Sequence, residues 1–306
     1  MMARMPQLSR RALLRLGVGT AAGAAGAYAF GAMLDSPLSP AHVTMTSAGA
    51  PLAPPPLGPP TPLQPAPASA APTMVTGSFV SAARGGISTN WAIARPPGQT
   101  KPLRPMIALH GKGGDAASVM AGGVEQGLAQ MADAGLPPFA VVSVDGGGAY
   151  WHKRASGDDA GSMVLTELIP LMGDQGLDTS RVGFLGWSMG GYGALLLGAR
   201  LGPGRTAAIC AVSPALWMSY GATAPGAFDS TDEWAANTVF GLPALASIPI
   251  RVDCGNSDPF YDATKKFVAQ LPSPPAGGFS PGGHDGGFWS AQLPAELDWM
   301  APLLVA

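Results

Sequence analysis

Reactive side chains are scarce in this chain. Two cysteines, four histidines and 12% charged residues are spread over 306 positions. Cys210 and Cys254 share no metal-binding or redox spacing. Each sits in a strand-like apolar run, at 207–212 and 248–254. That context reads as buried thiols, with a disulfide left open if the chain is exported. A net charge of −2, and no lysine or arginine run beyond the N-terminus, give no electrostatic case for nucleic acid. The turn His110-Gly111-Lys112-Gly113-Gly114-Asp115 lacks the phosphate-loop spacing, and Asp145-Gly146-Gly147-Gly148 lacks the dinucleotide fingerprint. No cofactor and no metal are therefore expected. What is abundant is apolar: 47% hydrophobic residues, with 43 glycines and 32 prolines.

The prolines are not evenly spread. Residues 1–34 carry Arg10-Arg11 ahead of a weakly hydrophobic Ala/Gly run, with Ala27-Tyr28-Ala29 as a cleavage signal. This resembles a twin-arginine export signal, which must be set aside before the fold is read. The run is too poor in leucine to make a good permanent membrane span. Ten of the 22 residues at 51–72 are proline. Residues 35–72 therefore read as an extended, disordered linker in which neither helix nor central strand persists. The protein is expected to be secreted or held in the cell envelope.

From residue 73 to 306 the pattern is regular. Strands at 73–80 and 87–94 form an opening hairpin. Short apolar strands at 106–109, 139–144, 181–186, 207–212 and 248–254 then alternate with helices at 119–134, 161–172, 189–201, 261–271 and 287–304. Continuous apolar strands alternating with helices predict an α/β fold, a mostly parallel sheet covered on both faces. In such sheets function gathers at the carboxyl ends of the strands. The residues there are glycine-rich and polar: 110–115, 145–152, Ser188, 255–260 and 282–285.

Gly186-Trp187-Ser188-Met189-Gly190 has the G-x-S-x-G form of a strand-to-helix turn that lifts a serine above the sheet. With so many glycines, the five letters alone carry little. The setting carries more. A serine hydroxyl needs a base, and the base needs an acid to orient it. Of the four histidines, His42, His110 and His152 precede Ser188, and His284 alone follows it in the order Ser, acid, His. Asp258, in a turn just past a strand, is the candidate acid, ahead of Asp262, which reads as a helix-start residue. Met189 N–H and Lys112 N–H are the candidate oxyanion donors.

These residues resemble the esterase branch of the α/β-hydrolases that includes esterase D, the feruloyl esterases and the antigen 85 mycolyltransferases. The resemblance rests on His110-Gly111-Lys112-Gly113-Gly114, Gly186 to Gly191, Cys254-Gly255-Asn256, Thr166-Glu167-Leu168-Ile169-Pro170 and His284 to Leu293. It covers residues 73–306. It implies an α/β-hydrolase fold and an exported serine esterase acting on a small-molecule, lipid or glycan ester, with Ser188, Asp258 and His284 catalytic. His110, Gly111, Tyr150, Trp151 and Trp289 are then expected at the substrate, with Tyr150-Trp151-His152 and segment 216–237 as pocket wall or as ordinary core. Two other readings stay open: acyl transfer to a sugar or wall acceptor, and a non-catalytic envelope-binding protein. Aspartate at the acid position and Lys112 in the turn both depart from the mycolyltransferases.

Overall fold

Every strand of the sheet except the first two and the last is buried from end to end or nearly so, which dictates helices on both faces. The computed structural model of the protein describes residues 72–306. The expected export signal and linker lie outside the described residues. Eight strands form one sheet: β1 (Met74–Ser81), β2 (Ile87–Ala94), β3 (Pro105–Leu109), β4 (Ala140–Val144), β5 (Val182–Trp187), β6 (Thr206–Val212), β7 (Ile250–Gly255) and β8 (Ala276–Ser280). Their order is β1-β2-β4-β3-β5-β6-β7-β8. The opening hairpin and the β2–β4 pair are antiparallel, and every other pair is parallel. This is the expected architecture.

The helices are α1 (Ala116–Ala121), α2 (Val124–Asp133), α3 (Ala160–Ser162), α4 (Ile169–Asp174), α5 (Met189–Leu201), α6 (Thr231–Asn237), α7 (Tyr261–Val268) and α8 (Gly286–Val305). Alternation along the strands divides the core into two layers. Ile107, Leu109, Phe184 and Ile209 face one layer, packed with α5. Met106, Ala108, Leu185 and Cys210 face the other, under α2 and α8. Among the described residues no helix is long and apolar enough to cross a membrane.

Two helices differ from the sequence reading. The single helix expected at 119–134 is broken at Gly122-Gly123, where Gly123 takes φ of 100°, a left-handed value that ends one helix before the next begins. The helix expected at 161–172 passes through a π-turn at Met163–Leu168 before α4. Pro170 has no N–H to give the turn behind it, and the ladder widens there.

Candidate active site

The β5–α5 turn is built by close approach. A side chain on Gly186 would overlap the backbone of Gly190, and one on Gly190 would overlap the Leu109 carbonyl of the neighbouring strand. Between them Ser188 is held at φ 56° and ψ −117°, a conformation that costs an L-residue roughly 1–3 kcal/mol. The turn therefore presents Ser188 at the carboxyl end of the central strand β5, where α5 starts.

Three chain segments meet there. Ser188 Oγ lies 2.8 Å from His284 Nε2, and His284 Nδ1 lies 2.9 Å from Asp258 Oδ2. Asp258 follows β7, and His284 lies between β8 and α8, whose N-terminus is capped by Asp285 accepting from Phe288 N–H. The Asp258 side chain is fully buried, while that of His284 is 23% exposed. Burial works against charge on Asp258. The bond to His284 and the N–H of Phe260, 2.8 Å from Oδ1, outweigh it and hold the carboxyl below the ordinary range. The arrangement can pass a proton from a serine oxygen to an imidazole whose other nitrogen faces a carboxylate. Asp262, by contrast, falls in the first turn of α7.

Above Ser188 lies the turn after β3. A side chain on Gly111 would come within 3.3 Å of the Trp187 carbonyl and 3.6 Å of Ser188 Cβ, so the loop sits directly against the serine. Met189 is the first residue of α5, and its N–H has no partner within the helix. Among the described residues no backbone acceptor takes the Lys112 N–H. Lys112 itself is exposed, with Nζ 5.9 Å from the centre of the Tyr150 ring.

The residues expected at the substrate separate into two groups. Trp289 and Phe260 stand edge-on to the His284 ring, each with its centroid 5.2 Å away. Trp217 packs on Phe260 at 5.4 Å to form a half-buried aromatic rim, and at 5.7 Å it covers Tyr150, which is buried rather than at the surface of the site. His110 and Trp151 lie behind this rim instead. Trp151 is fully buried, fitted against Gly146, Gly161 and Gly193, and the His110 ring packs on it at 5.0 Å. Both Tyr150 and Trp151 adopt positive φ, 53° and 58°, rare for bulky side chains. Segment 216–237 splits likewise: Trp217 is half-buried at the rim, whereas Phe228 is buried against His152, Tyr192 and Tyr150. Phe260 was not singled out by sequence reasoning. Its position two residues after the acid was the available signal.

Cys210 and Cys254 are both free and buried. Burial, with Asp258 nearby, pushes the Cys254 thiol up to about 12. Neither is a nucleophile near neutral pH.

No family model matches the chain, and no curated protein does. Solved structures do. A ferulic acid esterase superposes with a TM-score of 0.65 at 20% identity, over 75% of this chain and 98% of that one. An S-formylglutathione hydrolase from Agrobacterium tumefaciens gives 0.63 at 20% identity, over 76% and 95%. The S954A feruloyl esterase module from Clostridium thermocellum, complexed with sinapinate, gives 0.55 at 14% identity, over 74% and 87%. Sheet order, helix placement and these superpositions together show that the chain has the α/β-hydrolase fold.

Proposed function

We propose that this protein is an exported serine esterase that hydrolyses carboxylic esters through an acyl-enzyme. One observation carries the reading: the continuous contact from Ser188 Oγ to His284 Nε2 and from Nδ1 to Asp258, at 2.8 and 2.9 Å. Ser188 Oγ attacks the ester carbonyl carbon while His284 Nε2 takes its proton. The carbonyl π pair moves to oxygen, where the N–H groups of Met189 and Lys112 receive the charge. Collapse breaks the bond to the alcohol, which leaves with the proton from His284. Water then attacks the acyl-enzyme by the same steps, releasing the acid and restoring Ser188. Asp258 stays ionised throughout, consistent with its depressed pKa.

The half-buried rim of Trp217, Phe260 and Trp289 suits an ester with a flat aromatic or apolar group. The neighbour complexed with sinapinate points the same way. The twin arginine at positions 10 and 11 supports export, and the proline-rich stretch supports a place in the cell envelope.

The test is covalent labelling. Wild-type protein reacts with a fluorophosphonate and hydrolyses p-nitrophenyl esters. Ser188→Ala is expected to lose the label and to lower kcat by about 10⁴–10⁶. A label that survives the substitution rejects the assignment.

A further inference from the structure

His110 directly follows β3 and is 1% exposed, yet it is the residue from which the turn over Ser188 hangs. Its two ring nitrogens have different partners. Nε2 accepts the N–H of Gly146 at 2.9 Å. A nitrogen that accepts carries no proton, so in the neutral ring the proton is on Nδ1. Nδ1 lies 2.7 Å from the carbonyl oxygen of Gly111 and donates to it. The Gly114 N–H, 3.1 Å away, approaches the same oxygen from the far side of the turn. Burial pulls the imidazole below its ordinary range. Asp145 and Asp115 oppose that pull and Arg84 assists it, so the ring is neutral near pH 7.

The peptide that follows is planar and trans, so the Gly111 carbonyl and the Lys112 N–H point in opposite directions across one rigid unit. Fixing the oxygen on one side therefore aims the N–H on the other. We propose that His110 is a positioning residue: by donating from Nδ1 to the Gly111 carbonyl, it sets the Gly111–Lys112 peptide so that the Lys112 N–H faces the oxyanion formed at Ser188. This inference rests on the esterase reading and adds a residue that never touches substrate. It also accounts for the burial of a histidine whose position in the turn resembled a contact residue. The Trp151 ring, packed on the imidazole, fixes its plane.

Two near-isosteres separate the bonds. Asparagine places its amide N–H where Nδ1 stands and keeps the bond to Gly111, but loses Gly146. Glutamine places its carbonyl oxygen where Nε2 stands and keeps Gly146, but loses Gly111. His110→Gln is expected to lower kcat about 10- to 100-fold with KM unchanged, as misplacement of a catalytic group does. Affinity for a trifluoromethyl ketone, which forms the oxyanion, should fall by the same factor. His110→Asn should keep most of kcat, although the smaller side chain leaves a gap beside Trp151 and lowers Tm more. A purely structural role predicts the reverse order. Equal kcat in both variants, or a larger loss in His110→Asn, overturns the proposal. Ring-nitrogen NMR of the wild-type protein gives a second readout, independent of turnover: His110 should show the Nδ1–H tautomer, and a proton on Nε2 overturns the proposal even if a variant fails to fold. An inert wild-type protein would sink the esterase reading instead, a different failure from an active enzyme indifferent to His110.

Discussion

Ser188 is strained, and the strain has a measurable consequence. Its φ of 56° with ψ of −117° suits glycine and no other residue. A Ser188→Gly variant should therefore lose all ester hydrolysis while becoming more stable. Relief of about 1–3 kcal/mol of backbone strain is set against roughly 0.5–1 kcal/mol of added chain entropy. Thermal unfolding should show a Tm a few degrees above wild type, and a lower Tm would mean that the surrounding turn, not the serine, fixes the geometry. Asp258 gives the complementary case. Replacing it by asparagine keeps the shape but presents an amide to His284 Nδ1, where an N–H now points. The ring must take the other tautomer, and kcat should fall about 10⁴-fold with little change in KM. Steady-state kinetics on one ester decide it; a loss below tenfold would mean that another carboxylate orients His284.

Among the secondary-structure elements, the pairing of β7 with α8 hides a feature the sequence did not signal. Glu296 of α8 is fully buried, and neither of its oxygens has a hydrogen-bond partner among the described residues. Asp253 of β7 lies within 4.8 Å of it and of Cys210, and the Arg251 guanidinium bonds both Asp253 oxygens at 2.6 and 3.1 Å. Burial, reinforced by Asp253, pushes the Glu296 carboxyl well above its usual 4.5. It is therefore a neutral acid in the fold and an ordinary one in the unfolded chain. Between the two pKa values only the unfolded chain releases the proton. The contribution of Glu296 to stability is thus full below about pH 4.5 and declines as pH rises through that window toward the folded value. Glu296→Gln removes the titration. Its Tm should overtake wild type progressively from pH 5 to pH 9, and parallel Tm curves would show that Glu296 is already ionised in the fold.

What was legible in the sequence was whatever has a period or a fixed order. The alternation of apolar strands and helices announced the sheet, and the order Ser188, Asp258, His284 announced which residues to look for at its carboxyl edge. Gly122-Gly123 and Pro170 were visible as breakers, but their neighbours are good helix formers, so the exact break was not. Side-chain direction was the larger blind spot. His110 and Trp151 sit in glycine-rich loops that look exposed, yet the missing side chains of Gly146 and Gly193 make the slot that buries the Trp151 ring, while Gly161 makes room for the Trp151 backbone carbonyl. A loop glycine can mark a turn or a cavity for a distant aromatic, and one sequence does not distinguish them. Glu296 escaped for the same reason: a glutamate in a helix reads as solvent-facing until the sheet beneath it is known.

On the export reading, the whole molecule divides its work along the chain. Thr73 is already tied in, its carbonyl accepting the Arg95 N–H at 2.7 Å and its hydroxyl bonding Glu125 at 2.6 Å. At the other end Arg104 and Arg181 bond the Ala306 carbonyl oxygen at 2.9 and 3.2 Å. Both apolar layers, and all the groups assigned to the reaction, fall between these two points. A fragment of residues 73–306 should therefore keep the full-length Tm within a few degrees, along with its fluorophosphonate reactivity and kcat/KM. Residues 1–72 should matter for location alone. Replacing Arg10 and Arg11 by lysine keeps the charge but removes the guanidinium pair by which a twin-arginine signal is read. On the export reading, in a bacterial host the doubly substituted chain should then stay in the cytoplasm with unchanged specific activity, whereas the unaltered chain should be exported. Cell fractionation with fluorophosphonate labelling follows both quantities in one gel. Continued export of the doubly substituted chain would refute the twin-arginine reading, and lost activity in the 73–306 fragment would show that the leader also serves the fold.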